Sequence, residues 1–198
     1  MYADKIELIH KGNYLSYYEI DYKDDEGRSK KYEMVSRNGS NASHKPSMQL
    51  HELGEDINAV TAIIFNQTRD KMLISREFRF GINKYIYNII AGLIDDGETP
   101  EQAIRREIHE ETGLEVDRIL VNLGTSYTCA PITDEKVVTF IVTAHGDITG
   151  SDNIYEDIES HWCTKEEVME LLNNKDNIFS GRMQAYAFMW ANGIIGGI

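Results

Sequence analysis

From Gly92 to Leu114 the chain reads GLIDDGETPEQAIRREIHEETGL, and Glu107, Glu110 and Glu111 crowd into little more than one helical turn. At about 100° per residue, Glu107 and Glu111 stand roughly 40° apart, one turn from each other, and Glu111 lies only about 20° around from Ile104. Glu111 therefore sits at the edge of the face that packs inward. A lone carboxylate there loses hydration, so it either raises its pKa or destabilises the fold. An adjacent divalent cation reverses that sign. Hard oxygen donors at this spacing suit Mg²⁺ or Mn²⁺. Arg106, one turn before Glu110, can orient Glu98 or Glu110 by charge-assisted hydrogen bonds.

These side chains need a helix to hold them. Thr99 can cap it, Pro100 suits its first position, Gln102 completes a capping box and Gly113 closes it. Upstream, YYEIDY and KYEMV alternate apolar with polar around the turn residues KDDEGRS, which predicts a hairpin over 13–37. NGSNASHKPS (38–47) reads as a linker. Strands are expected at INAVTAIIF (57–65), KMLISREF, YIYNIIAG (85–92), RILVNLG, KVVTFIVTA and IESHWC, with TSYTCAPITDE a loop before KVVTFIVTA. GDITGSDNIYED is a polar loop, and TKEEVMELLNN and GRMQAYAFMWANG read as helices. The pattern indicates an α/β sandwich with a mainly β N-terminal extension: a β-rich region over 1–50 and a second domain over 55–198.

Composition narrows the classes. Asp and Glu number 33 against 20 Lys and Arg, for a formal net charge of −13. That balance counts against nucleic-acid binding, which needs a basic footprint. It also makes a phosphate-bearing substrate awkward unless cations mediate. No stretch approaches the roughly 18 apolar residues of a membrane span, and no basic flank precedes an apolar run at the start. Cys129 and Cys163 lack metal-site spacing and are too few for a disulfide framework. A cytoplasmic protein is the expectation.

The acidic stretch fits Gly-x5-Glu-x7-Arg-Glu-U-x-Glu-Glu-x-Gly-U, with U aliphatic, at every position: Gly92, Glu98, Arg106, Glu107, Ile108, Glu110, Glu111, Gly113 and Leu114. With ordinary residue frequencies a chance match at a given start is on the order of one in a billion or rarer. This resembles the Nudix box. The resemblance implies a Nudix α/β/α sandwich that hydrolyses a nucleoside diphosphate linked to another group. Divalent metal would neutralise the diphosphate and activate a water for in-line attack on phosphorus.

Flanking residues resemble the ADP-ribose and ADP-sugar pyrophosphatases. In AGLIDDGE the Ala91 carbonyl would be a metal ligand with Glu107 and Glu111, and Glu110 would assist. In EFRFGINKYIYNIIAGLID, Arg79 would meet the phosphates. YEMVSR resembles an aromatic-Glu-x-x-x-Arg segment, so Tyr32 would stack on adenine, Glu33 accept from its amino group and Arg37 meet phosphate. KGNYL would bring Tyr14 to the other face of the base. Stacking on an aromatic can contribute about 1–3 kcal/mol per base. YEDIESHW resembles the loop carrying the catalytic base. Glu156 takes that position, with Asp152, Asp157 and Glu159 as neighbours that leave the register open. CAPITDE near Pro131 looks like the loop that walls the terminal ribose.

Two departures stand out. The family usually has Pro before the Ala-Gly and Glu three residues before the Ala, where this chain has Ile90 and Asn88. The resemblance also implies a homodimer in which the N-terminal β-hairpin extension is exchanged across the two-fold, so Tyr14 or Arg79 would serve the partner's site. Expected chemistry is Mg²⁺- or Mn²⁺-dependent hydrolysis of ADP-ribose to AMP and ribose 5-phosphate. Alternatives are another nucleoside diphosphate sugar or a dinucleotide, and a non-catalytic ADP-ribose sensor.

Overall fold

The computed structural model describes residues 1–37, 48–151, 153 and 156–195, so the linker expected at 38–47 and Asp152 in the acidic loop lie outside the described residues. The chain divides into two compact units, Met1–Ala59 with Thr125–Val137, and Val60–Gly124 with Val138–Ile198.

In the first unit, β1 (Tyr2–Lys11), β2 (Ser16–Lys23) and β3 (Ser29–Ser36) form a three-stranded antiparallel sheet in that order. The expected hairpin is thus the second half of a meander, and β1 is an addition to it. Its register shifts between Ala3 and Lys5 and again between Leu8 and His10. Each shift breaks the two-residue alternation by which a strand is read from sequence. Tyr18, Ile20 and Met34 bury one face against Met48. The Tyr18 hydroxyl accepts a bond from the Met48 amide at 3.2 Å, which satisfies the phenol inside that core.

The second unit is built on β4 (Ala59–Asn66), β5 (Met72–Arg79), β6 (Lys84–Asn88), β7 (Ile90–Leu93), β8 (Glu115–Tyr127), β9 (Lys136–His145) and β10 (Ile158–Cys163). The sheet runs β10-β5-β4-β9-β8, with β6 paired to β5 and β7 to β4. YIYNIIAG is therefore two strands rather than one. The chain leaves β5 for β4 at Ile89, and that crossing points Ile89 and Ile90 into different cores. β8 also extends into TSY, which the sequence suggested as loop.

Alternation in the central strands makes three layers. Val60, Ala62, Ile64, Leu73, Phe140 and Val142 face one side, where they meet Ala103, Ile104 and Ile108 of α1 (Pro100–Thr112). Ile63, Phe65, Met72, Ile74 and Ile141 face the other, against Val168 of α2 (Lys165–Asn173) and Met183, Ala187 and Trp190 of α3 (Gly181–Ala191). Strands covered on both faces read as continuous apolar runs, as 59–65 does. Among the described residues no helix is long and apolar enough to cross a membrane.

Candidate active site

Helix α1 carries the acidic stretch, and its ends form as local chemistry dictates. Thr99 Oγ1 accepts from the Gln102 amide at 3.3 Å while the Gln102 side chain accepts from the Thr99 amide at 2.9 Å. Gly113 closes the helix at φ 76°, a left-handed conformation that costs a residue with a side chain far more. Between these caps, Ile104 and Ile108 are fully buried, which fixes the rotation of the helix and hence where each acid points.

Arg106 gathers the outer acids. Its Nε and Nη2 donate to the two oxygens of Glu98 at 3.0 and 2.9 Å, and its Nη1 donates to Glu107 at 2.8 Å and Glu110 at 3.0 Å. A further bond from Nη2 to the Leu93 carbonyl, at 2.9 Å, ties the guanidinium to β7. The expected choice between Glu98 and Glu110 is thus no choice: one planar fork serves both. The guanidinium holds the Glu98 carboxyl below the usual carboxylate range, an effect that outweighs its burial. Glu107 goes the other way, because its burial outweighs the Arg106 contact.

Gly92 explains how Glu107 fits against β7. A β-carbon at this position would lie 1.8 Å from the Glu107 carboxyl carbon, so any side chain would expel that acid. Ala91 is the residue immediately before this contact.

The inner acids have no such cation. Glu111 is only 8% exposed, and among the described residues neither of its oxygens has a hydrogen-bonding or ion-pair partner. Its carboxyl is pushed up to about 9, first by burial, then by the charges of Glu107, Glu77 and Glu156, with Arg79 opposing. Glu77, Arg79 and Glu156 line one cleft of about 290 Å³. Arg79 Nη2 lies 2.8 Å from Glu77 Oε1, and Asn88 Nδ2 donates to the same oxygen. Asn88, which stands where the family usually has Glu, thus clamps an acid on the neighbouring strand.

In the acidic loop, Glu156 accepts from Ser151 Oγ at 2.9 Å and is the loop acid whose charge acts on both Glu107 and Glu111. Asp157 instead accepts from the Tyr85 hydroxyl. Glu159 lies on β10 opposite Arg76, 3.1 Å from His161 Nε2, and lines a different cleft with His161, Cys163 and Leu171. Glu156 and Asp157 thus line one cleft and Glu159 another, and Asp157 differs from Glu156 in its bond to Tyr85.

In the first unit, the Tyr32 hydroxyl donates to the Pro131 carbonyl at 2.7 Å, Arg37 Nε donates to Glu135 at 2.6 Å, and the Val35 amide donates to the Ile132 carbonyl at 2.9 Å. The CAPITDE loop is therefore bonded along β3, an edge strand. Strand alternation turns Tyr32 and Glu33 to opposite faces, and Glu33 accepts from Tyr17, whose hydroxyl is raised by burial and by that carboxylate. Tyr14 sits on the turn between β1 and β2, 80% exposed.

Sequence reasoning missed Glu77, Glu135 and Tyr17. Glu77 alone had a signal, an acid two residues before Arg79 on one strand.

Glu107 and the buried Glu111 offer the hard carboxylate oxygens that a divalent cation prefers. Among the described residues no three His, Cys, Asp or Glu side chains yet converge as a cage. Arg106 holds Glu107 and Glu110 in ion pairs.

A family model described as NUDIX domain matches residues 56–183. The chain belongs to the Nudix hydrolase family. It is similar to an ADP-ribose pyrophosphatase of Bacillus subtilis, 26% identical over 86% of this chain and 82% of the relative. It is also similar to an ADP-sugar pyrophosphatase of Mus musculus, 27% identical over 54% of this chain and 45% of that protein. Three other curated relatives are matched over 65%, 26% and 22% of their own lengths. A solved structure described as an ADP compounds hydrolase superposes with a TM-score of 0.70, covering 98% of this chain and 96% of that one at 19% identity. At that identity the likeness is one of fold, and it agrees with the three-layer Nudix sandwich that the acidic stretch implied.

Proposed function

We propose that this protein hydrolyses the diphosphate bond of ADP-ribose, or of a related ADP-sugar, to a nucleoside monophosphate and a sugar phosphate, with Mg²⁺ or Mn²⁺. The observation that carries this reading is Glu111: a buried carboxylate facing other carboxylates, on a helix whose outer acids are already neutralised by Arg106. Such an arrangement is tolerable with a doubly charged ion beside it. The ADP-ribose pyrophosphatase from Bacillus subtilis, matched over most of both chains, supports the choice of substrate class.

Glu107, Glu111 and the Ala91 carbonyl hold the ion, with Glu110 assisting. Bound there, a divalent ion neutralises diphosphate oxygens and lowers the pKa of a water. Arg79 meets the phosphates from the cleft wall. Glu156 accepts the proton of the attacking water; its charge acts on Glu107 and Glu111, whereas Asp157 in the same cleft is bonded to Tyr85 and Glu159 lines another cleft. Glu98 and Arg106 keep the loop and helix in register and touch no substrate. Tyr14, Tyr32 and Arg37 recognise the base and a phosphate. Glu33, on the opposite face of β3 from Tyr32, is the weaker candidate because Tyr17 already occupies it. The reading includes a homodimer.

The test is incubation with Mg²⁺ and a panel of ADP-ribose, other nucleoside diphosphate sugars and dinucleotides, with detection of released phosphate monoester. ADP-ribose should be cleaved fastest, EDTA should stop it, and light scattering should give twice the chain mass. Cleavage of none, or cleavage indifferent to EDTA, would sink the reading. Faster cleavage of a guanosine or uridine sugar would move the substrate while keeping the chemistry.

A further inference from the structure

The cleft lined by Arg79 and Glu156 contains a carboxylate that the box does not include, Glu77. Leu73 on β5 packs into the core beneath α1, and the register of β5 with β10 and β6 runs without a shift from Met72 to Arg79. Glu77, four residues on, therefore faces the same side of the sheet as Leu73. Ser75 stands opposite Asn88, so Asn88 is the diagonal neighbour of Glu77 on that face. The Asn88 amide donates to Glu77 Oε1, and Arg79 Nη2 reaches the same oxygen at 2.8 Å.

Both contacts fall on Oε1. Among the described residues no donor reaches Oε2, although the side chain is only 13% exposed. A carboxylate offers about four acceptor positions, so with both contacts on Oε1 the second oxygen keeps its capacity for a further partner. Arg79 does not supply it. Among the described residues, Arg79 is the one cation lining the cleft that Glu77 and Glu156 share, and the Glu111 carboxyl feels both acids as repelling charges.

Resting on the hydrolase reading above, we propose that Glu77 is a further cation-holding carboxylate of this site. Asn88 and Arg79 fix Oε1, and Oε2 faces the divalent ion directly or through one of its waters. Mg²⁺ keeps several waters when bound, so a carboxylate one water away still contributes charge and orientation. The acid absent at position 88 is carried instead one strand over, with Asn88 as its clamp.

The test is titration of the full chain with Mn²⁺ alone, reading free Mn²⁺ by electron paramagnetic resonance. Glu77→Gln keeps the shape and an acceptor for Asn88, so the fold should hold, and Mn²⁺ affinity should fall about tenfold. Asn88→Leu, which releases the clamp and keeps the carboxylate, should weaken binding by a smaller factor. It carries the test if the Gln variant fails to fold. Glu111→Gln in parallel separates the two readings. Loss of binding in Glu111→Gln with unchanged affinity in Glu77→Gln and Asn88→Leu overturns this proposal alone, leaving Glu77 as a clamp for Arg79. Unchanged affinity in Glu111→Gln as well removes the cation assignment on which it rests.

Discussion

Helix α1 and the loop that leads into it carry acids in two settings that differ in what neutralises them. On its outer side, Glu98 and Glu110 share the guanidinium of Arg106, which also reaches the Leu93 carbonyl. On its inner side, Glu111 is packed near Glu77, Glu107 and Glu156, with Arg79 the one opposing charge among those that act on it most strongly. The same functional group is pulled below its ordinary range at Glu98 and pushed far above it at Glu111. The outer set is complete as the chain folds, and it ties the loop to the helix. The inner set has no such counter-charge, and in the proposed reading an external cation supplies it.

The comparison breaks most sharply at Glu111. Glu111→Gln should lower turnover by orders of magnitude, while the metal-free protein melts no lower than the parent. The pH dependence sharpens this. In the folded, metal-free protein Glu111 holds its proton up to about 9, whereas the unfolded chain releases it near the ordinary carboxylate value of 4.5. The folded state thus binds more protons between those values, and its stability falls as pH rises through that window. Thermal melts in EDTA from pH 5 to 9 should show this fall, the substitution should flatten it, and divalent metal should raise the melting temperature most at the alkaline end. A parent melting curve indifferent to pH would remove the inner-set account.

Next in size is the loop acid. Glu156→Gln should slow turnover about a hundredfold or more, the scale of general-base catalysis, with little change in metal affinity. Glu159→Gln should behave like the parent, since Glu159 lines the other cleft. The reverse pattern in steady-state kinetics would transfer the role to Glu159.

Smallest is the outer set. Arg106→Gln leaves Glu98, Glu107 and Glu110 without their shared donor, and the loss should be on the order of 2 kcal/mol, between the ranges for exposed and fully buried ion pairs. Urea denaturation in EDTA measures it. Saturating Mg²⁺ should recover part of the loss, because the ion takes over Glu107.

Much of the second unit could be read from sequence because its signals are short-range. Thr99, Pro100, Gln102 and Gly113 announce the helix within their own neighbourhood, and the apolar run at 57–65 marks a strand covered on both faces. β1 escaped because its two bulges break the alternation and because Asp4, Lys5 and Glu7 make it look like surface. The split at Ile89 escaped because an apolar β-branched run gives no sign of changing neighbours. Among candidate site residues, the box acids could be placed by spacing alone. Glu135, which holds Arg37, and Tyr17, which donates to Glu33, are partners across loop or sheet, and no local pattern marks them.

By itself the sequence determined a capped helix with acids at fixed angles around it, because hydrogen bonds and side-chain periodicity within a few turns suffice for that. Only the tertiary structure decided which of those acids is left without a counter-charge. That depends on burying Ile104 and Ile108 against the sheet and on bringing β5, with Glu77 and Arg79, beside a helix more than twenty residues further along the chain. Desolvation and Coulomb interaction act through space, so the chemistry of Glu111 exists only once those strands have paired.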